Sequence, residues 1–142
     1  MSSPIAIVTG ASRGIGKAIA LALAQDGYRT MLIARSQEQL DIAAQEIISL
    51  VHPAAELEPS VFSVDVGNFD AAYRTAESIV RRFGRVDVLV NNAGIWVPGI
   101  LDVSAQQFSQ LMAVNVTASL AFVQAVAPVM KDRHSGHIFN VA

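Results

Sequence analysis

Three glycines near the start of the chain have the spacing of a loop that can hold a phosphate group. Gly10, Gly14 and Gly16 follow a short apolar run, residues 5–8, and precede an alanine-rich segment of helical period, residues 17–25. Glycine permits positive φ angles and lets a pyrophosphate approach the backbone without a Cβ atom in between. The helix that follows offers free N–H groups and the positive end of its dipole to the phosphates. The spacing predicts a dinucleotide-binding loop at the first strand-to-helix junction; the alternative is a plain turn with glycines that pack a helix. The loop residues assigned to the cofactor are Thr9, Gly10, Ser12, Arg13, Gly14, Ile15 and Gly16.

The end of the second predicted strand indicates which dinucleotide the loop holds. NAD-type sites have an acidic residue there, which hydrogen-bonds the ribose 2′-hydroxyl. Ala34 and Arg35 occupy this place, so no carboxylate repels a 2′-phosphate and a guanidinium is available to pair with one. Arg13, inside the glycine loop, is a second candidate partner. We therefore predict NADP(H), the alternative being that both arginines are solvated surface charges. The missing acid also counts against a site for S-adenosylmethionine.

Short apolar runs alternate with segments of helical period along the whole chain. The runs are residues 5–8, 30–34, 61–64, 86–90 and 137–141. Several are apolar at consecutive positions, which is typical of strands covered on both faces. Three segments between them carry apolar stripes at helical spacing, residues 40–51, 69–83 and 108–126. This alternation predicts an α/β fold of one domain, residues 1–142, with a doubly wound parallel sheet between two layers of helices.

Local signals agree with the predicted helices. The segments 36–39 and 104–107 each have the pattern of a capping box, and Gly27 and Gly84 stand where helices should end. Asn115 lies on the third apolar stripe, so we expect its amide to be buried and hydrogen-bonded. Trp96, which follows the fourth strand, is interpreted either as a residue near the substrate or as a packing residue.

Composition excludes several classes of function. The chain is 52% hydrophobic and 15% charged, with a formal net charge of −2, which argues against a nucleic-acid surface. It has no cysteine, hence no disulfide or thiolate metal site, and its three histidines lack the spacing of metal ligands. It begins without the pattern of a signal peptide and has no run of 18 apolar residues. We therefore predict a cytoplasmic protein without metal, nucleic-acid or membrane partners.

Two further motifs complete a recognisable set. Asp65-Val66 follows the third predicted strand, and Asn91-Asn92-Ala93-Gly94 follows the fourth. With the glycine loop, and in this order, they resemble the short-chain dehydrogenase/reductase family, most closely its β-ketoacyl-(acyl-carrier-protein) reductase branch. The resemblance covers essentially the whole chain. It implies a Rossmann-type fold and an oxidoreductase that transfers hydride between NADP(H) and a carbonyl or alcohol substrate.

The same resemblance implies roles for the residues of these motifs. Asp65 and Val66 would contact the adenine. Asn91 and Asn92 would hold the adenosine side of the cofactor and tie the fourth strand to its neighbours. Ala93 and Gly94 would line the floor of the site. From the residues alone, this last motif is also a good turn sequence.

The resemblance further implies which catalytic groups to look for. Asn115 would be the family's helix asparagine, whose backbone carbonyl fixes a water in the proton relay; a satisfied core asparagine is the alternative. The family's serine would follow Ala142, and its Tyr-x-x-x-Lys pair would lie further on. Neither Tyr28 nor Tyr73 has a lysine four residues later.

These observations leave three hypotheses. The first is the cofactor-binding portion of a longer reductase, inactive alone because its C-terminal strands and acid catalyst are missing, from a parent that forms homo-oligomers. The second is a non-catalytic dinucleotide-binding module or remnant. The third is a chain that cannot hold its native fold alone, since residues 120–123 would leave apolar surface uncovered.

Overall fold

A parallel sheet of five strands, flanked by helices on both faces, forms the framework of the protein. It is seen in a computed structural model that describes residues 2–142. The strands are β1 (Ile5–Thr9), β2 (Arg29–Ala34), β3 (Ser60–Ser63), β4 (Val88–Asn91) and β5 (His137–Asn140). The helices are α1 (Gly14–Gln25), α2 (Gln37–Val51), α3 (Phe69–Phe83), α4 (Ala105–Met112) and α5 (Ala118–Asp132). The predicted fold class is confirmed.

Side chains alternate between two hydrophobic cores, one on each face of the sheet. In β1, Ile5 and Ile7 face the core formed with α3 and α5, whereas Ala6 and Val8 face the core formed with α1 and α2. All five residues of β1 are buried. Phe122 of α5 is the largest fully buried side chain. The central strand is therefore apolar at consecutive positions because both of its faces are covered.

The order of the strands places a crevice at one edge of the sheet. Across the sheet the order is β3-β2-β1-β4-β5, and every neighbouring pair is parallel. From β1 the chain winds outward to β3 and then crosses back to place β4 on the other side of β1. In open parallel sheets a ligand crevice forms at this switch point, at the carboxyl ends of the strands.

Most of the predicted helix ends are found in the structure. The Ser104 hydroxyl accepts from Gln107 N and the Gln107 side chain accepts from Ser104 N, which completes a capping box. At α2, Ser36 accepts from Gln39 N, but the reciprocal bond is not formed. Gly84 ends α3 in the left-handed conformation, with φ of 68°.

The third apolar stripe is interrupted, contrary to prediction. A π-helical turn, Ala113–Thr117, separates α4 from α5 and rotates the faces on either side of it relative to one another. As a result Phe108 and Met112 are exposed, whereas Ala121 and Phe122 are buried. Asn115 lies in the π turn and is exposed, so the prediction of a buried amide is wrong.

The stretch Ala105–Asp132 is long and apolar enough to span a membrane by length and composition alone. Helices in protein cores can be equally long and apolar. The buried side chains of α5 pack against α3 and the sheet, as those of a core helix do.

Candidate functional site

A cleft of about 760 Å³ opens at the carboxyl ends of β1 to β4. The glycine loop forms one wall and the segments after β2, β3 and β4 form the others. Of the predicted cofactor residues, the cleft is lined by Gly10, Ser12, Arg13, Gly14, Ile15, Ala34, Arg35, Asp65, Val66, Asn92, Ala93 and Gly94. Thr9, Gly16 and Asn91 lie behind this surface. The three motifs, which are far apart in sequence, are thus brought together at the switch point of the sheet.

Two glycines of the loop have conformations or contacts that no other residue can adopt without strain. Gly14 has a φ of 57°, and a Cβ there would meet no protein atom within 4 Å. A Cβ on Gly16 would overlap the carbonyl oxygen of Gly10 and would lie 2.5 Å from the Asn92 amide nitrogen. Gly16 therefore allows α1 to pack closely on the loop, and Gly14 keeps the backbone open towards the cleft.

The N-terminus of α1 differs from the other helix starts that follow a loop. Side-chain oxygens of Ser36, Asn68 and Ser104 cap α2, α3 and α4. Among residues 2–142, no side chain caps the first turn of α1, whose N-cap residue is Arg13. Unpaired N–H groups and the positive end of the helix dipole attract an anion. Because Gly14 and Ile15 of this turn line the cleft, its N–H groups are suited to a pyrophosphate.

A hydrogen-bond network joins the glycine loop to the turn after β4. The buried Thr9 hydroxyl accepts from the backbone N–H groups of Asn92 and Ala93, both at 2.9 Å. The Asn92 amide nitrogen donates to the carbonyl oxygens of Thr9 at 3.2 Å and Gly10 at 3.4 Å. The two motifs therefore hold each other, and with them the cleft floor at Ala93 and Gly94.

Arg13 and Arg35 both line the cleft, Arg13 in the glycine loop and Arg35 directly after β2. Both side chains are exposed, and within residues 2–142 neither forms an ion pair or a hydrogen bond. The backbone of Arg35 is fixed, because its carbonyl accepts from the Ser63 hydroxyl at 2.7 Å. The strand end beneath it, Ala34, carries no acid. The cleft lining thus includes two arginines whose side chains have no partner among the described residues.

The segment after β3 contributes a carboxylate and an apolar side chain. One oxygen of Asp65 accepts from the N–H of Gly67 at 2.9 Å, which fixes the carboxylate in a short turn. Val66 is buried at the cleft wall. A carboxylate beside an apolar surface is suited to an adenine, whose ring is apolar and whose amino group donates.

Asn91 and Asn115 also lie outside the cleft lining, and each is hydrogen-bonded within the fold. Asn91 is buried, and its amide nitrogen donates to the Asn140 side chain at 3.0 Å, so it links β4 to β5. The Asn115 amide forms two hydrogen bonds with the backbone of Ile95, accepting from its N–H at 2.7 Å and donating to its carbonyl at 2.9 Å. The side-chain amide of this exposed asparagine is thus paired with the backbone of the loop after β4.

Several lining residues were missed by the sequence analysis. They are Ser36, Gln39, Val64, Ile95 and Val114. Ser36 and Gln39 had been interpreted only as capping residues, although Ser36 directly follows Arg35. Val64 and Ile95 each adjoin a predicted motif, so extending every motif by one residue would have found them.

The sequence matches a model of the short chain dehydrogenase family over residues 4–142. The chain belongs to the short-chain dehydrogenase family.

Individual short-chain dehydrogenase relatives extend the comparison. An uncharacterised oxidoreductase of Staphylococcus saprophyticus is 34% identical over the full chain, which covers 59% of that protein. A 3-oxoacyl-[acyl-carrier-protein] reductase of Staphylococcus epidermidis is 36% identical over 96% of the chain and 54% of its own length. The chain thus spans little more than half the length of the curated relatives it matches. A metagenomic short-chain oxidoreductase, solved in complex with NADP, superposes with a TM-score of 0.89 at 39% identity over 98% of this chain and 62% of its own.

Proposed function

We propose that this chain binds NADP(H) and forms the cofactor-binding portion of a reductase that acts on a carbonyl or alcohol substrate. The observation that carries the proposal is the pair of free guanidinium groups in the cleft lining, Arg13 in the glycine loop and Arg35 where β2 ends without an acid. Each charge-assisted hydrogen bond to a phosphate is worth about 1.5–3 kcal/mol. The complex of the metagenomic relative with NADP supports the same choice.

The residues in the cleft fit the parts of such a cofactor in order. The 2′-phosphate would lie between Arg13 and Arg35, and the adenine against Asp65 and Val66. The pyrophosphate would lie on the uncapped first turn of α1. The remaining part of the cleft, at Ile95 after β4, would take the nicotinamide. When bound, the cofactor supplies or accepts a hydride, while this chain binds and orients it.

Nucleotide titration tests the cofactor assignment. Arg35→Ala should weaken NADPH binding about ten- to hundredfold and leave NADH binding unchanged, because only NADPH carries the 2′-phosphate. Arg74→Ala removes an exposed arginine from α3, away from the cleft, and should change neither affinity. Isothermal titration calorimetry measures the affinities of the unmodified chain and of both variants for NADPH and for NADH. Equal affinities for the two nucleotides, unaffected by Arg35→Ala, would contradict the proposal.

The carbonyl-reducing activity is proposed for a longer protein. Family resemblance implies a catalytic serine and a Tyr-x-x-x-Lys pair after residue 142, with Asn115 contributing to the proton relay. We propose that this protein is cytoplasmic and homo-oligomeric, and acts on a small molecule. Sequencing the gene beyond codon 142 tests this: a serine codon followed by Tyr-x-x-x-Lys supports it, whereas a stop codon would favour the second candidate, a non-catalytic dinucleotide-binding module.

A further inference from the structure

The loop between β4 and α4 has a composition that sets it apart from the rest of the cleft. From Ala93 to Leu101, nine consecutive residues carry no charged, amide or hydroxyl side chain. Their one polar side-chain group is the indole N–H of Trp96. The other cleft walls, by contrast, present arginines, a carboxylate, serines and amides. This loop therefore offers a ligand apolar contact and almost no side-chain hydrogen bonds.

The first part of the loop is held in a fixed position beside the cleft. Both backbone groups of Ile95 are hydrogen-bonded to the Asn115 amide, and Ile95 lines the cleft. Trp96 follows immediately, so the backbone that carries the indole is anchored. Further along, the Asp102 N–H donates to the Gly99 carbonyl at 2.9 Å, which closes a turn where Gly99 has a φ of 73°.

The orientation of the proposed cofactor in the cleft indicates which ligand group would contact this loop. The guanidinium groups of Arg13 and Arg35 mark the phosphate-bearing adenosine end of the proposed cofactor, and Ile95, which follows β4 on the other side of β1 from β2, marks the opposite side. Trp96 lies one residue beyond Ile95. The cofactor assignment leaves this position next to the substrate, outside the nucleotide.

Large apolar side chains on this loop are exposed to an unusual degree. Trp96 and Ile100 are each 81% exposed, and Leu101 is 95% exposed. Burying an indole against an apolar group is strongly favourable because its surface is large. A polyol would need several hydrogen-bonding partners, and hydroxyls left unpaired on binding would be costly.

We propose that Trp96 is a specificity-determining residue that contacts an apolar aryl or alkyl substituent next to the substrate carbonyl and so selects hydrophobic ketones over sugars. This inference rests on the proposed function, because it takes the orientation of the cofactor from it. The group that contacts the Trp96 indole is the apolar side of the carbonyl substrate.

Binding of two contrasting ketones to the chain saturated with NADP⁺ tests the inference. The probes are 4-phenyl-2-butanone, which has an aryl group, and fructose, a ketohexose. Because Trp96 is the only tryptophan, the ¹⁵N-correlated spectrum has one indole N–H resonance to follow. We expect the aryl ketone to shift this resonance and fructose at the same concentration to leave it unchanged.

Two variants separate contact with the indole from a general loss of structure. By ligand-observed NMR, Trp96→Ala should weaken aryl-ketone binding about tenfold, roughly the affinity change that follows from removing one aromatic contact. Trp96→Phe should retain most of the affinity. Both variants should bind NADPH as the unmodified chain does, since Trp96 lies outside the nucleotide site.

Each outcome bears on one of the two proposals. Absence of NADPH binding by the unmodified chain would overturn the proposed function. Normal NADPH binding with aryl-ketone affinity that is undetectable or unaffected by Trp96→Ala would overturn the role of Trp96 alone. A shift caused equally by fructose would overturn the substrate class. An indole resonance that moves with protein concentration before any ketone is added would assign Trp96 to an interface between copies, against the proposal.

Discussion

Arginines at the two ends of the sheet are in opposite situations. At the amino ends of the strands, Arg85 donates to both oxygens of Asp87, at 2.8 and 2.6 Å, and Arg133 donates to one of them at 3.2 Å. The same carboxylate accepts from the backbone N–H of Ile5 at 2.8 Å. At the carboxyl ends, Arg13 and Arg35 have no such partner within residues 2–142. One pair of arginines is used by the fold, and the other is free for a ligand.

Because the two pairs of arginines have different partners, stability and nucleotide binding depend on different ends of the sheet. Asp87 and its partners connect β1, β4 and the turn before β5, and they lie far from the cleft. Changes there should alter the free energy of unfolding and leave nucleotide affinity intact. Changes among the cleft arginines should do the reverse. Residues at the glycine loop, which belongs to both the fold and the site, should affect both quantities.

The largest effect is expected where the glycine loop is most crowded. Gly16→Val would force side-chain atoms into the Gly10 carbonyl and the Asn92 amide. Overpacking of this kind costs up to ~3 kcal/mol, which corresponds to roughly hundredfold in affinity if it displaces the loop from its binding position. Calorimetric titration with NADPH measures the loss. Ala18→Val, on the exposed side of the same helix, is the control and should leave affinity unchanged.

Removing one buried hydroxyl should affect both quantities by a smaller amount. Thr9→Val leaves the partly buried N–H groups of Asn92 and Ala93 without their acceptor, at about 1 kcal/mol for each donor, and loosens the cleft floor. Thr30 of β2 is a matched control, because it is equally buried and its hydroxyl has no partner within the described residues. Thr30→Val should therefore be neutral or stabilising. Urea unfolding compares them, and equal destabilisation by the two substitutions would disprove the role of Thr9.

Much of the cleft could be predicted from the sequence because its signals are local. The glycine spacing, the missing acid before Arg35 and the cap at Ser104 are each contained in a few consecutive residues. The alternation of apolar runs was sufficient for the parallel sheet, since buried strands and amphipathic helices have distinct periods.

Other features could not be predicted because they depend on distant partners. The π turn adds one residue to a helical turn without any sequence mark, so Asn115 was placed on the wrong face. The partner of its amide, Ile95, is 20 residues away. The Asp87 cluster likewise joins residues separated by 46 and 82 positions. Neither pattern is periodic, and only the fold brings these groups together.

The smallest effect is expected at the paired end, from Asp87→Asn. The neutral amide keeps some hydrogen bonds but loses its charge, so we expect a loss of about 1–3 kcal/mol in unfolding free energy and no change in the NADPH affinity of the folded chain. Urea unfolding and calorimetric titration measure the two quantities. A change in NADPH affinity with unchanged unfolding free energy would contradict the assignment of Asp87 to stability and of the cleft arginines to nucleotide binding.

The pH dependence of this loss follows from the charge of Asp87. Burial favours the protonated carboxyl, but hydrogen bonds from Arg85, Ile5 N–H and Arg133 outweigh it and hold the pKa of Asp87 below its ordinary value of 3.8. A carboxyl whose pKa is lower in the folded than in the unfolded state contributes stability above its unfolded pKa and loses it as pH falls through the folded value. The stability difference between the unmodified chain and Asp87→Asn should therefore be constant near neutral pH and shrink below about pH 4. Arg35→Ala, at the other end, should show no such convergence in unfolding experiments, because the Arg35 side chain has no carboxylate partner within the described residues.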